Sequence, residues 1–241
     1  ETLILAWGLE NSAISVSYYE YAVGLSPGES ETVDWTDNGT DTTVTITGLS
    51  LVDGTTYYGS IRAYNSGGNP SQAYSGDGIT IDVSPPISGT IIEGDTIDID
   101  YTSNAETLQL TWSGFSDENS GLSHYEYGLG RSPGADDMVS FTETTDTSAV
   151  LEADLVDGTT YYGIVRAYDI AGNVSGDIVG DGVMLDISPP EAGSVVDGFE
   201  DDLEFTASTT TLSASWSGFS DAGSGIQFYE YAAGTTSGGT D

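Results

Sequence analysis

Apolar and polar residues alternate along this chain in short runs of period two. Leu108, Leu110 and Trp112 alternate with Gln109 and Thr111, and Tyr125, Tyr127 and Leu129 alternate with His124, Glu126 and Gly128. That period puts one set of side chains on a buried face of a β-strand and the other on a solvated face. The same reading predicts strands over 90–92, 97–101 (Ile97, Ile99 and Tyr101 against Asp98 and Asp100), 138–141, 149–155, 161–168 and 179–187. Gly94-Asp95 and Arg131-Ser132-Pro133-Gly134 supply turns between them. No segment carries a helical period. About seven short strands, with turn signals every 8–12 residues or so, predict an all-β fold built as an antiparallel β-sandwich.

The pattern is itself repeated. Trp7, Trp112 and Trp216 recur at spacings of 105 and 104 residues. Tyr19-Glu20-Tyr21 returns as Tyr125-Glu126-Tyr127 and as Tyr229-Glu230-Tyr231. The octet VDGTTYYG at 52–59 returns unchanged at 156–163, and Asp82-Val83-Ser84-Pro85-Pro86 returns as Asp186-Ile187-Ser188-Pro189-Pro190. A period of this length is a whole small domain rather than a solenoid unit. The expected modules are 1–83, lacking its first strands, 84–187, complete, and 188–241, lacking its later strands. Each Pro-Pro pair holds its linker extended. An end copy that cannot close its sandwich implies one of two things: a longer array, or completion by strands donated from neighbouring copies of the chain.

At this point the residues resemble a known family, the fibronectin type III module. Its stretch L-x-P-G-T-x-Y-x-h-x-h-x-A, with h apolar, is similar to Leu155 through Ala167 and to Leu51 through Ala63. The resemblance implies tandem fibronectin type III-like (immunoglobulin-like) sandwiches. It puts Tyr57 and Tyr161 on the tyrosine-corner position and Trp112 in the core of an early strand, with Trp7 and Trp216 as its repeats. Two positions depart from the pattern: Asp157 stands where proline is usual, and Gly163 where an apolar residue is common. Tyr125 and Tyr127 are expected to fill the space over Gly163. The phrase WSGFSD…SG…YEY…G at 112–130 and 216–234 is similar to a subgroup found in large repetitive bacterial surface and secreted proteins. The family arrangement also makes the strands carrying Glu20 and Arg62 neighbours. Cross-strand pairs Glu20–Arg62 and Glu126–Arg166 are therefore expected, flanked by Tyr64 and Tyr168, each worth about 0–1 kcal/mol and serving to hold register.

Composition narrows function by exclusion. With 39 acidic and three basic residues the formal charge is −36, a field that repels nucleic acid and anionic membranes. There is no cysteine, hence no disulfide and no thiolate chemistry, and no run of apolar residues approaches a membrane span. Lys is absent and good helix formers are scarce. His124 is the sole histidine and is replaced by Tyr18 and Phe228 in the other copies, which marks a strand position rather than a catalytic or metal site. Carboxylates are dispersed, with no sign of the shaped cleft that glycosidase chemistry needs.

Calcium is the one cofactor the acids could hold, because hard cations take oxygen ligands. The candidates are Asp34, Asp37 and Asp41 in one Gly-containing loop, Asp117 and Glu118 in another, and Asp82 and Asp186 beside the linkers. The plainer alternative is solvated turn acids. Asn38 and Asn173 begin glycosylation sequons. The leading expectation for function is a non-enzymatic extracellular structural protein: a stalk, adhesin shaft or filament whose partners are its own modules and further copies of itself. The alternatives are a glycan- or protein-binding array, marked by exposed aromatics around Trp35 or Tyr74, and an accessory region of a secreted polysaccharide-degrading enzyme. Self-repulsion among the acids carries a prediction. Raising sodium chloride from about 0.02 to 0.5 M raises the melting temperature, as screening shortens the reach of the like charges.

Overall fold

The computed structural model describes residues 2–8, 15–199 and 201–240. The first copy contributes β1 (Thr2–Ala6), β2 (Tyr18–Gly24), β3 (Val33–Asp37), β4 (Thr43–Thr47), β5 (Thr56–Tyr64), β6 (Tyr74–Ser75) and β7 (Ile79–Thr80). The second contributes β8 (Thr90–Glu93), β9 (Tyr101–Thr102), β10 (Thr107–Ser113), β11 (Leu122–Gly130), β12 (Val139–Thr144), β13 (Ser148–Glu152), β14 (Thr160–Asp169), β15 (Ile178–Val179) and β16 (Val183–Leu185). The third contributes β17 (Ser194–Asp197) and β18 (Ala214–Ser217). No helix of the described residues is long and apolar enough to cross a membrane. The chain falls into two compact units, residues 1–88 with 115–124 and 167–176, and residues 89–114 with 125–166 and 177–241.

The second copy shows the full topology. One sheet runs β13-β10-β8 and the other β12-β11-β14-β16-β9, with β15 also on β14. β10 pairs antiparallel with β13 and β8, β12 with β11, and β14 with β15 and β16, whereas β16 runs parallel to β9, with Met184 and Leu185 beside Tyr101 and Thr102. The chain therefore leaves the first sheet after β8 and joins the second at β9. Gly94 makes the change of sheet at φ 143°, where an added Cβ would run into the Ile97 carbonyl. This corrects the expected strand over 97–101. Only Tyr101–Thr102 pairs, Ile97 is exposed, and Asp98 turns its side chain back to accept the Glu93 N–H at 2.9 Å. The expected strand over 179–187 is likewise split by Gly180-Asp181-Gly182 into β15 and β16.

The core lies between these two sheets. Leu108, Leu110 and Trp112 of β10 are buried with Leu129, Tyr161, Val165 and Leu185. The Trp112 ring stands 5.8 Å from Tyr125 and 5.7 Å from Tyr127. Gly163 is where the expectation about ring filling fails. A Cβ there would meet Leu110 Cδ2 at 2.6 Å and Ile91 Cδ1 at 3.2 Å, so aliphatic side chains of the opposite sheet, not the tyrosines, occupy that space. The Tyr161 hydroxyl accepts the Val156 N–H at 2.8 Å, and Tyr57 accepts the Val52 N–H at 3.0 Å. Each bond closes a turn whose backbone donor would otherwise be unpaired.

In the first copy Leu3, Val23, Ile46 and Tyr57 form a smaller core. Trp7 is half-buried and meets Tyr19 edge-on at 5.7 Å. Among the described residues β1 pairs with β4 alone, whereas its counterpart β10 is paired on both sides. An open groove of about 650 Å³, lined by Leu3, Leu5, Gly59, Ile61 and Gly76 among others, runs beside it. In the third copy β17 and β18 pair with each other. Trp216 is 38% exposed, with the Tyr229 and Tyr231 rings 5.8 and 6.0 Å from its own.

Two substitutions test this core by urea unfolding. Leu110→Ala costs about 2–5 kcal/mol through lost burial and the cavity over Gly163. Tyr161→Phe, which strands the Val156 N–H, costs about 1–3 kcal/mol.

Candidate functional site

The polar chemistry of the chain gathers where the linkers leave one repeat and enter the next. At the first linker Asp53 receives the chain: its Oδ1 accepts the Val83 N–H at 2.9 Å and its Oδ2 accepts the Ser84 hydroxyl at 2.6 Å. Asp82 Oδ2 accepts the Ser120 N–H at 3.1 Å, which ties the linker to loop 115–121. That loop is folded around Asp117, whose Oδ1 accepts the N–H groups of Asn119, Ser120 and Gly121. A third acid arrives from the end of β14. Asp169 is buried, and its carboxylate holds Asn173 through both the backbone N–H and Nδ2, each at 2.8 Å. The carboxylate oxygens of Asp82, Asp117 and Asp169 lie within 4.8 Å of one another, and all three residues belong to the first compact unit.

The second linker repeats the arrangement inside the second unit. Asp157 Oδ1 accepts the Ile187 N–H at 3.0 Å and Oδ2 the Ser188 hydroxyl at 2.7 Å. Asp186 Oδ2 accepts the Ser224 N–H at 2.6 Å, and Asp221 folds its loop by accepting from Gly223 and Gly225. Paired backbone bridges recur as well, Ile87 with Ser116 and Glu191 with Ser220. Hydrogen bonds from Ser84 hold the Asp53 carboxyl below its ordinary value, with Val83 adding to the effect. Those from Ile187 and then Ser188 do the same for Asp157, and those from Ser224 for Asp186.

Of the sequence candidates, the structure brings Asp82 and Asp117 together and adds Asp169, whose repeat position in the first copy is Asn65. Asp34, Asp37 and Asp41 join no such group among the described residues; Asp37 instead accepts the Gly39 N–H, and Asn38 Nδ2 closes the loop on the carbonyls of Asp41 and Thr43. Glu118 is exposed and outside the group. Asn173 spends its Nδ2 on Asp169 and the Asp82 carbonyl, so as a glycan acceptor it would have to break the joint. The signal for Asp53 and Asp157 is an aspartate at the same place in both copies of the repeated octet, where the family pattern has proline. An all-carboxylate group suits a hard cation. At the joint most of the carboxylate oxygens already accept hydrogen bonds.

The strand faces carry a second recurring constellation. Arg62 Nε donates to Glu20 at 2.8 Å and its guanidinium lies 4.2 Å from the Trp35 ring; Arg166 Nε donates to Glu126 at 2.8 Å and lies 4.0 Å from Phe141. Tyr18 stacks on Tyr64 at 4.5 Å and His124 on Tyr168 at 4.6 Å. His124 is thus a stacked strand residue. Trp35 lies beneath an arginine rather than in an open aromatic platform, while Tyr74 is 82% exposed. Arg131 pairs with Asp137 at 3.1 Å.

The sandwich topology and the tyrosine corner define the class: the chain is a tandem of fibronectin type III-like modules. No protein-family model matches it. It is 30% identical over 202 residues to Exoglucanase B of Cellulomonas fimi, covering 82% of this chain and 18% of that protein. It is 30% identical over 177 residues to Chitinase A1 of Niallia circulans, covering 72% of this chain and 22% of that protein. The chain thus spans about a fifth of the length of the curated relatives it matches. Similar solved structures include the fibronectin(III)-like modules of Clostridium thermocellum CbhA, at 16% identity, TM-score 0.42, and 77% and 86% coverage of this chain and that one. The FN1–FN3 domains of chicken CNTN1 follow, at 17% identity, TM-score 0.38, and 76% and 62% coverage.

The depressed Asp157 carboxyl yields a pH prediction. A group whose folded value lies below its ordinary 3.8 contributes stability above that pH and loses it as the pH falls through the folded value. Wild type is therefore more stable than Asp157→Asn at pH 6–7 or so, and the gap narrows steadily below about pH 4. Urea midpoints measured at several pH values check it.

Proposed function

We propose that this chain is a non-catalytic spacer, a run of fibronectin type III-like modules within a polysaccharide-degrading protein that works outside the cell. The observation that carries this reading is the repeated joint. Asp53 and Asp157 hold the residues before each Pro-Pro pair, and Asp82 and Asp186 reach the loop that follows. Side chains placed twice to hold a linker are what a spacer needs and what a free-standing binding domain does not. The two curated relatives, named for glucan and chitin breakdown, support the setting, since such polymers are too large to be taken up before they are cut. The charge of −36 keeps such a run hydrated and away from anionic surfaces. The sole histidine is stacked on Tyr168, and the chain has no cysteine.

The open groove beside β1 favours a second reading, a filament or stalk in which a strand from another copy completes the first module. Concentration-dependent assembly in sedimentation would support it, and a monomer at all concentrations would count against it.

The spacer reading is tested on the chain itself. Incubated with amorphous cellulose and with chitin, it releases no reducing sugar and stays in the supernatant. Hydrolysis, or firm co-sedimentation with either polymer, would overturn the proposal. With donor and acceptor dyes on residues either side of the first linker, Asp53→Asn broadens the distance distribution; an unchanged distribution would remove the joint from the argument.

A further inference from the structure

A second group of three carboxylates lies away from the linkers, inside the second compact unit. Glu93, Asp98 and Asp181 bring ligating oxygens within 4.8 Å of one another. Glu93 ends β8 and is fully buried. Its Oε1 accepts the Gly163 N–H of β14 at 3.0 Å, while its Oε2, also buried, has no hydrogen-bond partner. Asp98 is returned to this place by the change of sheet at Gly94 and caps the Glu93 N–H. Asp181 sits in the turn between β15 and β16, after Gly180, and a Cβ on Gly180 would overlap the Glu93 carboxylate. The absence of a side chain at Gly180 therefore admits the carboxylate to the sheet.

Among the described residues no basic side chain is paired with this group. A buried carboxylate with an orphan oxygen is costly, and two further acids beside it add repulsion. Burial accordingly pushes the Glu93 carboxyl above its ordinary value; the Gly163 N–H opposes this, and the charges of Asp98 and Asp181 reinforce it. The three arginines are engaged elsewhere, with Glu20, Asp137 and Glu126.

We propose that Glu93, Asp98 and Asp181 form a calcium site, with the buried Glu93 Oε2 as its inner ligand. The donors are all oxygen, with no nitrogen or sulfur to favour zinc. Calcium takes six to eight oxygens in flexible geometry, whereas magnesium demands a stricter octahedron and keeps several of its waters, so a group of three carboxylates converging from separate segments suits calcium. Asp98 and Asp181 are exposed and leave positions for water. Bound there, the ion joins the end of β8 in one sheet to the β15–β16 turn in the other. The parts recur in the other copies. Asp197, Gly198 and Asp202 repeat Glu93, Gly94 and Asp98, including the bond from the Asp197 N–H to Asp202 Oδ1 at 3.1 Å, and Gly76-Asp77 repeats Gly180-Asp181.

The experiment is a calcium titration of the whole chain, followed by calorimetry and by melting temperature after chelation, with magnesium as the comparison ion. Calcium binds and raises the melting temperature more than magnesium does. Glu93→Gln and the surface substitution Asp181→Asn each weaken binding about tenfold or more and remove the thermal shift, while Asp82→Asn at the joint leaves both in place. Glu93→Gln without calcium is at least as stable as wild type, since it relieves the repulsion. The proposal is overturned if calcium produces no shift, if Asp181→Asn retains the full response, or if Asp82→Asn alone abolishes it. These outcomes are independent of whether the chain serves as a spacer.

Discussion

The hydrogen bond from the Val156 N–H to the Tyr161 hydroxyl sets the position of β14, and most of the second copy takes its place from that strand. Tyr161 is fully buried at the start of β14, so its ring is held by packing and its hydroxyl by one backbone donor. With the strand so placed, Gly163 lies under Leu110 and Ile91 of the opposite sheet, Arg166 meets Glu126 across the β11–β14 ladder, and Asp169 reaches the linker. The same bond, from Val52 to Tyr57, recurs one repeat earlier. One residue type at one spacing thus makes the same local bond at the start of the long strand in both copies.

The acids divide by what surrounds them. At the linkers they accept backbone N–H and hydroxyl groups, which stabilises the ionised form and holds the carboxyls of Asp53, Asp157 and Asp186 below their ordinary value. At Glu93 burial dominates and the carboxyl moves the other way. A chain with so lopsided a charge can keep its carboxylates ionised only where water, a donor or a cation meets them. The linker acids have donors, the surface acids have water, and one oxygen of Glu93 has neither.

Much of the fold was legible in the sequence because burial in a sandwich imposes period two: β10 alternates along almost its whole length and β14 does so apart from Ile164, whereas β11 ends in three successive buried residues. The reading failed at 97–101, where alternation of Ile and Asp looks like a strand but the chain is changing sheets. Alternation reports which residues avoid water, not which neighbour supplies hydrogen bonds. It failed again at Gly163, where the filling side chains come from the opposite sheet, about 50 and 70 residues away. Among the site residues, Asp82 and Asp117 were visible as acids near a linker and a loop. Asp169 was hidden inside a strand, and Asp157 stood out as a departure from the family pattern rather than as a ligand for the linker.

The sequence by itself determined the repeat and the all-β class, because each depends on local periodicity or on a spacing that recurs, and its resemblance to the fibronectin type III module implied the tyrosine corner and the cross-strand pairing of glutamate with arginine. Only the tertiary structure decided which acids meet. Glu93, Asp98 and Asp181 are separated by as many as 88 residues, and Asp82 and Asp169 by 87, yet each set converges within 4.8 Å. That convergence depends on the path of the backbone between sheets, and in a chain with 39 scattered acids no pattern of neighbours along the sequence distinguishes the few that come together.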